Sequence, residues 1–262
     1  YLAPSNASGS KTLTVSASDG SLSASRTAVL SVAAVNDVPV VSASQGSTAA
    51  TEQISVVLDP AMTVSDVDNT TLASATVSVS GGFRSGEDVL GYLSGASYGN
   101  ISGTYAAATG VLTLTSSGAS ATLAQWQAAL RSVTYLNTSD APNTAVRTIT
   151  WLVNDGTGTS LPITKTVSVA AVNDVPVVSA SQGSTAATEQ ISVVLDPAMT
   201  VSDVDNSSLV SATVSVSGGF RSGEDVLGYV SGASYGNISG TYSAATGVLT
   251  LISPGASATR SE

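Results

Sequence analysis

Neither cysteine nor histidine occurs anywhere in the 262 residues of this chain. Missing cysteine excludes a disulfide framework and any thiolate metal site, and missing histidine removes the other usual ligand for zinc and copper. A serine nucleophile would lack its customary base, and the adjacent pair Glu87 and Asp88 does not replace two carboxylates facing each other across a cleft. These absences argue against an enzyme. Positive charge is scarce too: 8 Lys and Arg against 18 Asp and Glu leave a net charge of −10. That is the reverse of the basic footprint nucleic-acid binding requires. No apolar run is long enough to read as a membrane-spanning helix. An acidic chain of this kind remains compatible with cation binding.

What is abundant is repetition. "AAVNDVPVV" stands at 33–41 and again at 170–178, and "SASQGSTAATEQISVVLDPAMTVSDVDN" at 42–69 returns at 179–206. From Val35 to Val172 the period is 137 residues. That is an ordinary single-domain size, far longer than helical or leucine-rich solenoid repeats. Later differences are mostly conservative, such as Ala73 to Val210 and Leu93 to Val230. The segment "LAQWQAALRSVTY" at 123–135 has no second counterpart before the closing "RSE". At the other end, "YLAPSNASGSKTLTVSASDG" at 1–20 aligns loosely with "YLNTSDAPNTAVRTITWLVNDG" at 135–156. We therefore expect a fragment of an array: 1–37 closes one repeat, 38–174 is complete, and 175–262 opens the next.

With 42% hydrophobic and 10% charged residues, each repeat can build a core. "LTVSA" (13–17), "ATVSVS" (75–80), "VLTLT" (111–115) and "TITWLV" (148–153) alternate with period two, the signature of half-buried strands. Turn signals such as "SGG", "SGED", "ATG" and "NDGTG" punctuate them, so the fold class is all-β, a tandem of antiparallel sandwiches. Ile149, Trp151 and Val153 share one face, which places Trp151 in the core with an indole N–H that needs a partner. One departure is "TLAQWQAALRSV" (122–133). Leu123, Trp126, Leu130 and Val133 there fall at helical spacing behind Thr122, a candidate N-cap, predicting one short helix or helical turn at an end of the sandwich.

The few carboxylates gather at linkers and turns. Asn36-Asp37 precedes Pro39, and Asn173-Asp174 precedes Pro176; proline stiffens each junction and leaves the Asn and Asp oxygens free. In "SDVDN", Asp66 and Asp68 sit two apart and direct both carboxylates to one side of an extended segment; Asp203 and Asp205 repeat the pattern. A hard divalent cation would turn this repulsion into coordination, since Ca²⁺ takes six to eight oxygens. An EF-hand is excluded by the missing loop glycine and by Val77 at the twelfth position. "GGFRSGED" occurs once per repeat, which excludes a calcium β-roll. The competing reading makes these residues ordinary turn formers that cap their own backbones. Glu87, Asp88, Asp155 and Asp19 stand between the two readings.

At these residues the chain resembles the cadherin-like tandem repeats of large bacterial RTX-type surface adhesins. "VNDVPVV" is similar to the family's domain-joining signature, "SDVDN" to its Asp-x-Asp pair, and "ATEQIS" to the early Glu of a cadherin domain. "GGFRSGEDVL", "GNISGTYAAATGVLTL", "LAQWQAALRSVTY" and "ITWLVNDG" complete the resemblance, which covers the whole chain. It implies immunoglobulin-like (cadherin-like) sandwiches, calcium at the junctions, and an extended array on the cell surface serving adhesion or biofilm formation. The first junction would use Asn36, Asp37, Asp66 and Asp68, and the second Asn173, Asp174, Asp203 and Asp205, with Glu52 serving it from the other side. The linker reads Asn-Asp-Val where cadherins have Asn-Asp-Asn, and no Leu-Asp-Arg-Glu motif is present. Partners would be neighbouring repeats, with a surface or glycan ligand bound elsewhere in the full protein. Strand complementation between 175–262 and 1–37 of another molecule is a further expectation. An alternative function is a carbohydrate- or ice-binding module, with Tyr92, Tyr98 and Tyr105 on the recognition face.

Overall fold

The structure, a computed structural model, describes residues 1–4, 6–181, 183–232, 235–256 and 258. The closing "RSE" lies outside the described residues. The chain divides into two compact units, Tyr1–Ala171 and Val172–Glu262. Among the described residues no helix is long and apolar enough to cross a membrane.

In chain order the first unit holds β1 (Gly9–Ser18), β2 (Ser23–Val32), β3 (Val40–Ser42), β4 (Ser47–Thr51), β5 (Val56–Val57), β6 (Thr63–Ser65) and β7 (Ser74–Gly81). There follow β8 (Asp88–Gly91), β9 (Ile101–Ala106), β10 (Val111–Ser116), α1 (Leu123–Arg131), β11 (Thr134–Asn137), β12 (Arg147–Asn154) and β13 (Ile163–Ala170). Six strands form the main sheet in the order β4-β13-β12-β7-β10-β9, and β5-β11-β8 form a second; β3 pairs with β6, and β1 with β2. Among the described residues every pairing of these strands is antiparallel except β13 with β4. The fold class is as expected, all-β, with one α-helix among the described residues.

Period-two alternation decides what each strand contributes. Along β12, Arg147, Ile149, Trp151 and Val153 face inward and are buried, while Thr148, Thr150 and Leu152 alternate with them. They meet Val77 and Val79 of β7 and Leu112 and Leu114 of β10, and the core is completed by Leu58, Met62, Leu90 and Tyr135. Trp151 lies in the core as expected, but its Nε1 finds no hydrogen-bond partner. It sits mid-sheet between Val77 and Ile163, whose strands commit their carbonyls to the ladder. An orphaned buried N–H of this kind costs about 1–3 kcal/mol. By contrast, Trp126 Nε1 donates to the Leu72 carbonyl at 2.9 Å.

The segment at 122–133 forms a nine-residue helix, longer than a single turn. Thr122 caps it: its hydroxyl accepts from the Gln125 amide at 3.3 Å, and Gln125 Oε1 accepts from the Thr122 amide at 2.9 Å. Trp126, Ala129 and Leu130 form its buried stripe, and Arg131 Nε donates to the Met62 carbonyl beside β6 at 2.6 Å.

The second unit contains β14 (Val177–Ser179), β15 (Thr200–Ser202), β16 (Ser211–Ser215), β17 (Ser239–Ser243) and β18 (Val248–Ile252). β14 pairs with β15, and the remaining three form a sheet in the order β16-β18-β17. Here β16 stands where β7 stands in the first unit, but at an edge instead of the centre.

Candidate functional site at the linkers

Three segments far apart in sequence meet at one end of the first unit. The turn after β12 brings Asp155, the linker brings Asn36 and Asp37, and the segment after β6 brings Asp66, Asp68 and Asn69. Asn36 Nδ2 donates to Asp155 Oδ2 at 2.9 Å, and its Oδ1 accepts from Asn69 Nδ2 at 3.1 Å. The Asp37 amide donates to Asp68 Oδ2 at 2.6 Å. Gly158 closes the arrangement: a Cβ there would stand 2.6 Å from Val38 Cγ1, so the linker seats against the turn only because that position is bare.

Each carboxylate is oriented by its own backbone. Asp66 Oδ1 accepts from the amides of Asp68 (2.9 Å) and Asn69 (2.7 Å), and Asp155 Oδ1 from Thr157 (2.6 Å) and Gly158 (2.7 Å). These are Asx turns, so the turn-forming reading of these residues holds as far as one oxygen of each. Burial alone pushes the Asp155 carboxyl up, but hydrogen bonds from Gly158, Asn36 and Thr157 hold it below its ordinary value. The other oxygen of Asp66, Oδ2, is buried without a hydrogen-bond partner. Among the described residues no three carboxylates converge as a preformed metal site.

The second unit repeats the linker geometry. The Asp174 amide donates to Asp205 Oδ2 at 2.6 Å, and Asn206 Nδ2 donates to Asn173 Oδ1 at 2.7 Å. Asp203 Oδ1 accepts from Asp205 (3.0 Å) and Asn206 (2.7 Å). Only 3% of Asp203 is exposed. Glu52 lies elsewhere, at the far end of the first unit, where its amide donates to the Ala170 carbonyl at 3.1 Å. The β12–β13 register puts Ala170 about 35 Å along the strands from Asp155, at roughly 3.3 Å per residue.

Glu87 and Asp88 are not part of the cluster. Asp88 is buried and takes Arg147 Nε at 3.1 Å, the Tyr135 hydroxyl at 2.5 Å, Asn137 Nδ2 at 3.3 Å and the Arg84 amide at 2.7 Å. Arg147 Nη2 reaches Glu87 Oε2 at 3.3 Å, and Nη1 donates to the Ala145 and Asn143 carbonyls. Both acids therefore neutralise an arginine that β12 carries into the core, which sequence reading missed because Arg147 lies just outside the "TITWLV" pattern. Burial and the Asp88 hydrogen bond push the Tyr135 phenol far up. A second unforeseen group is Asp59, buried under the Ser44 amide (2.6 Å) and 3.7 Å from Lys165 Nζ. Tyr92, Tyr98 and Tyr105 pack against the core, and two of their hydroxyls bond to backbone: Tyr105 donates to the Asp88 carbonyl at 2.6 Å and Tyr92 to the Ile101 carbonyl at 3.2 Å.

No family model matches the chain, and no curated protein does. Solved structures resemble it weakly. Domains 4 and 5 of the S-layer protein SbsC show 13% identity and a TM-score of 0.31, over 63% of this chain and 59% of that one. Domains 4–9 of SbsC show 13% and 0.30, over 94% of this chain and 31% of that one. A chimeric titin Z1Z2, functionalized with a KLER exogenous peptide from decorin, shows 11% and 0.24, over 86% and 87%. The chain thus spans only 59% of the length of the two-domain SbsC structure. Likeness at these TM-scores carries neither a domain arrangement nor a function to this chain.

Proposed function

We propose that this chain is a structural extender module of a secreted or cell-surface bacterial adhesin of the RTX type, whose cadherin-like junctions bind calcium. The observation that carries this reading is the buried, unpartnered Asp66 Oδ2 within a cluster of Asp and Asn side chains drawn from three remote segments. A carboxylate oxygen held out of water without a donor is costly, and a cation would satisfy it. Asp66, Asp68, Asp37, Asn36 and Asp155 would hold the ion at the first junction, and Asp203, Asp205, Asp174 and Asn173 would do so at the second. The ion supplies charge neutralisation and oxygen coordination. Because the carboxylates do not already converge, the cation draws linker, Asp-x-Asp segment and turn together, and the junction stiffens as it binds. Near-identical copies suit such a length-setting role, since added repeats lengthen the array without changing its surface.

The test is thermal unfolding of the chain in EDTA against a calcium titration, with magnesium as control and an Asp66→Ala, Asp68→Ala variant alongside. A ligand at a hundred times its dissociation constant adds about 2.7 kcal/mol to the folded state. A calcium-specific rise in melting temperature that the variant weakens is the expected result. Melting that ignores calcium would remove the ion from the mechanism.

A further inference from the structure

The main sheet of the complete repeat ends at β9, which pairs with β10 and with no other strand among the described residues. This edge lies inside 38–174 and recurs in the second unit, where β17 is again the outer strand beside β18. It is therefore a property of the repeat. All six residues of β9, "ISGTYA", run in unbroken register with β10, without a bulge, a proline or a charge. Proteins ordinarily guard an edge with one of these, because its free N–H and C=O groups are a template for another strand. The two ends of β9 are partly occupied: the Ala106 carbonyl takes the Thr109 and Gly110 amides, and the Ile101 carbonyl takes the Tyr92 hydroxyl. Between them, no backbone hydrogen bond from outside the β9–β10 hairpin reaches Ser102, Gly103, Thr104 or Tyr105 among the described residues.

Charge is missing from the whole neighbourhood in sequence. No charged residue occurs between Asp88 and Arg131, a stretch that holds β9, β10 and most of α1, and none occurs between Asp225 and Arg260. Asp88, whose carbonyl accepts the Tyr105 hydroxyl, is itself buried and paired with Arg147. In a chain of net charge −10, a second copy meets no like charge along this stretch. Apolar surface is present there instead. A Cβ at Gly103 would stand 2.8 Å from Tyr92 Cδ1 and 2.9 Å from Leu114 Cδ2, so the loop after β8 tucks against the inner side of the strand. Leu93, next in that loop, is 73% exposed; Val230, which follows Tyr229 where that ring meets Gly240 of β17, is 80% exposed.

We infer that two copies of this chain pair edge to edge, β9 against β9, antiparallel about a two-fold axis normal to the sheet. Such an axis keeps the outward side chains of both copies on one face, which centres the pairing on Gly103 or on Thr104. Centred on Gly103, Ser102 faces Thr104 of the second copy; centred on Thr104, the two Thr104 side chains face each other. Either way hydroxyl meets hydroxyl, a favourable cross-strand pair, and no charge meets charge. The contact is isologous, so each edge is used up by one partner edge. Six residues a side bury less than the about 800 Å² per partner of a standard interface, which makes a single contact weak. Because every repeat carries the edge, arrays lying side by side gain by multivalency what one contact lacks. The extender is then also a surface for association between arrays, and this inference depends neither on calcium nor on the adhesin reading.

Sedimentation velocity of the 262-residue chain across a concentration series, in EDTA, tests it. Reversible, concentration-dependent association is expected. The variant Ser102→Lys, Thr104→Lys, Ser239→Lys, Thr241→Lys should weaken it on the order of a hundredfold, because like charges then oppose one another across either register. The variant Ser102→Glu, Thr104→Glu, Ser239→Glu, Thr241→Glu should weaken it as much. All four side chains are exposed, so both variants fold, and circular dichroism with tryptophan emission checks this. An equimolar mixture of the two variants should associate again, which a folding defect could not produce. A chain that stays monomeric at every concentration overturns the inference. Association indifferent to the four lysine substitutions overturns it too, by placing the contact on another surface, and so does a mixture of the two variants that remains monomeric.

Discussion

Leu58 and Leu195 hold the same place in two identical stretches, yet one is 1% exposed and the other 53%; Met62 and Met199 differ likewise, 0% against 48%. The sequence around each pair is identical throughout 31–69 and 168–206. What differs is company. β3 with β6 recurs as β14 with β15 because both strands of the pair lie within each copy. β4, β5 and β8 have no named counterpart among the described residues of the second unit. Their partners in the first unit are β13 and β11, which have no counterpart among the described residues of the second unit. A strand is thus a property of a pair, and identical residues become core or surface according to whether a distant segment reaches them.

Arg147→Met should break the complete copy most deeply, because it leaves Asp88 buried without its cation; the expected loss is about 3–5 kcal/mol. Both tryptophans, Trp126 and Trp151, lie in the first unit, so denaturant unfolding followed by tryptophan emission reports that unit alone. Leu58→Ala sharpens the comparison: about 2–5 kcal/mol should be lost from the same transition. Leu195→Ala, at concentrations where the chain is monomeric, should change stability by less than about 0.5 kcal/mol, read by circular dichroism. Equal losses at both positions would show that the second unit closes its own core.

The smallest effect is that of pH. Burial alone raises the Asp59 carboxyl, but the Ser44 and Ala61 amides, the Ser44 hydroxyl and Lys165 together hold it below 3.8. Asp155 shifts the same way. A depressed folded-state value means that the unfolded chain binds the proton more readily. The contribution is therefore fully present above about pH 5 and is lost as pH falls through the folded-state value. Asp59→Asn should flatten that acid limb of the tryptophan-reported stability; an unchanged limb would place the acid sensitivity elsewhere.

Much of the site was legible as composition and spacing. The linker pair, the Asp-x-Asp segment and the turn aspartate were each visible as oxygen-bearing groups next to a proline or a glycine. Their meeting was not, because Asn36 and Asp155 are joined only through the sheet that carries β12 to the same end as the linker. Glu87 and Asp88 looked like members of the same set for the same reason. Nothing local distinguishes a carboxylate bound for a linker from one bound for Arg147, since the arginine's inward direction depends on where the β12 alternation starts.

By itself, then, the sequence determined the 137-residue period, the buried faces of β7, β10 and β12, and the capped helix behind Thr122. The period rests on literal repetition; the others rest on alternation, helical spacing and a cap three residues from its partner, all of which are local. Only the tertiary structure decided which acids meet, which tryptophan finds a hydrogen-bond partner, and which of two identical stretches becomes a core. Each of those depends on a β-sheet neighbour that the chain supplies from up to more than a hundred residues away, and backbone pairing carries no record of that neighbour in the residues it joins.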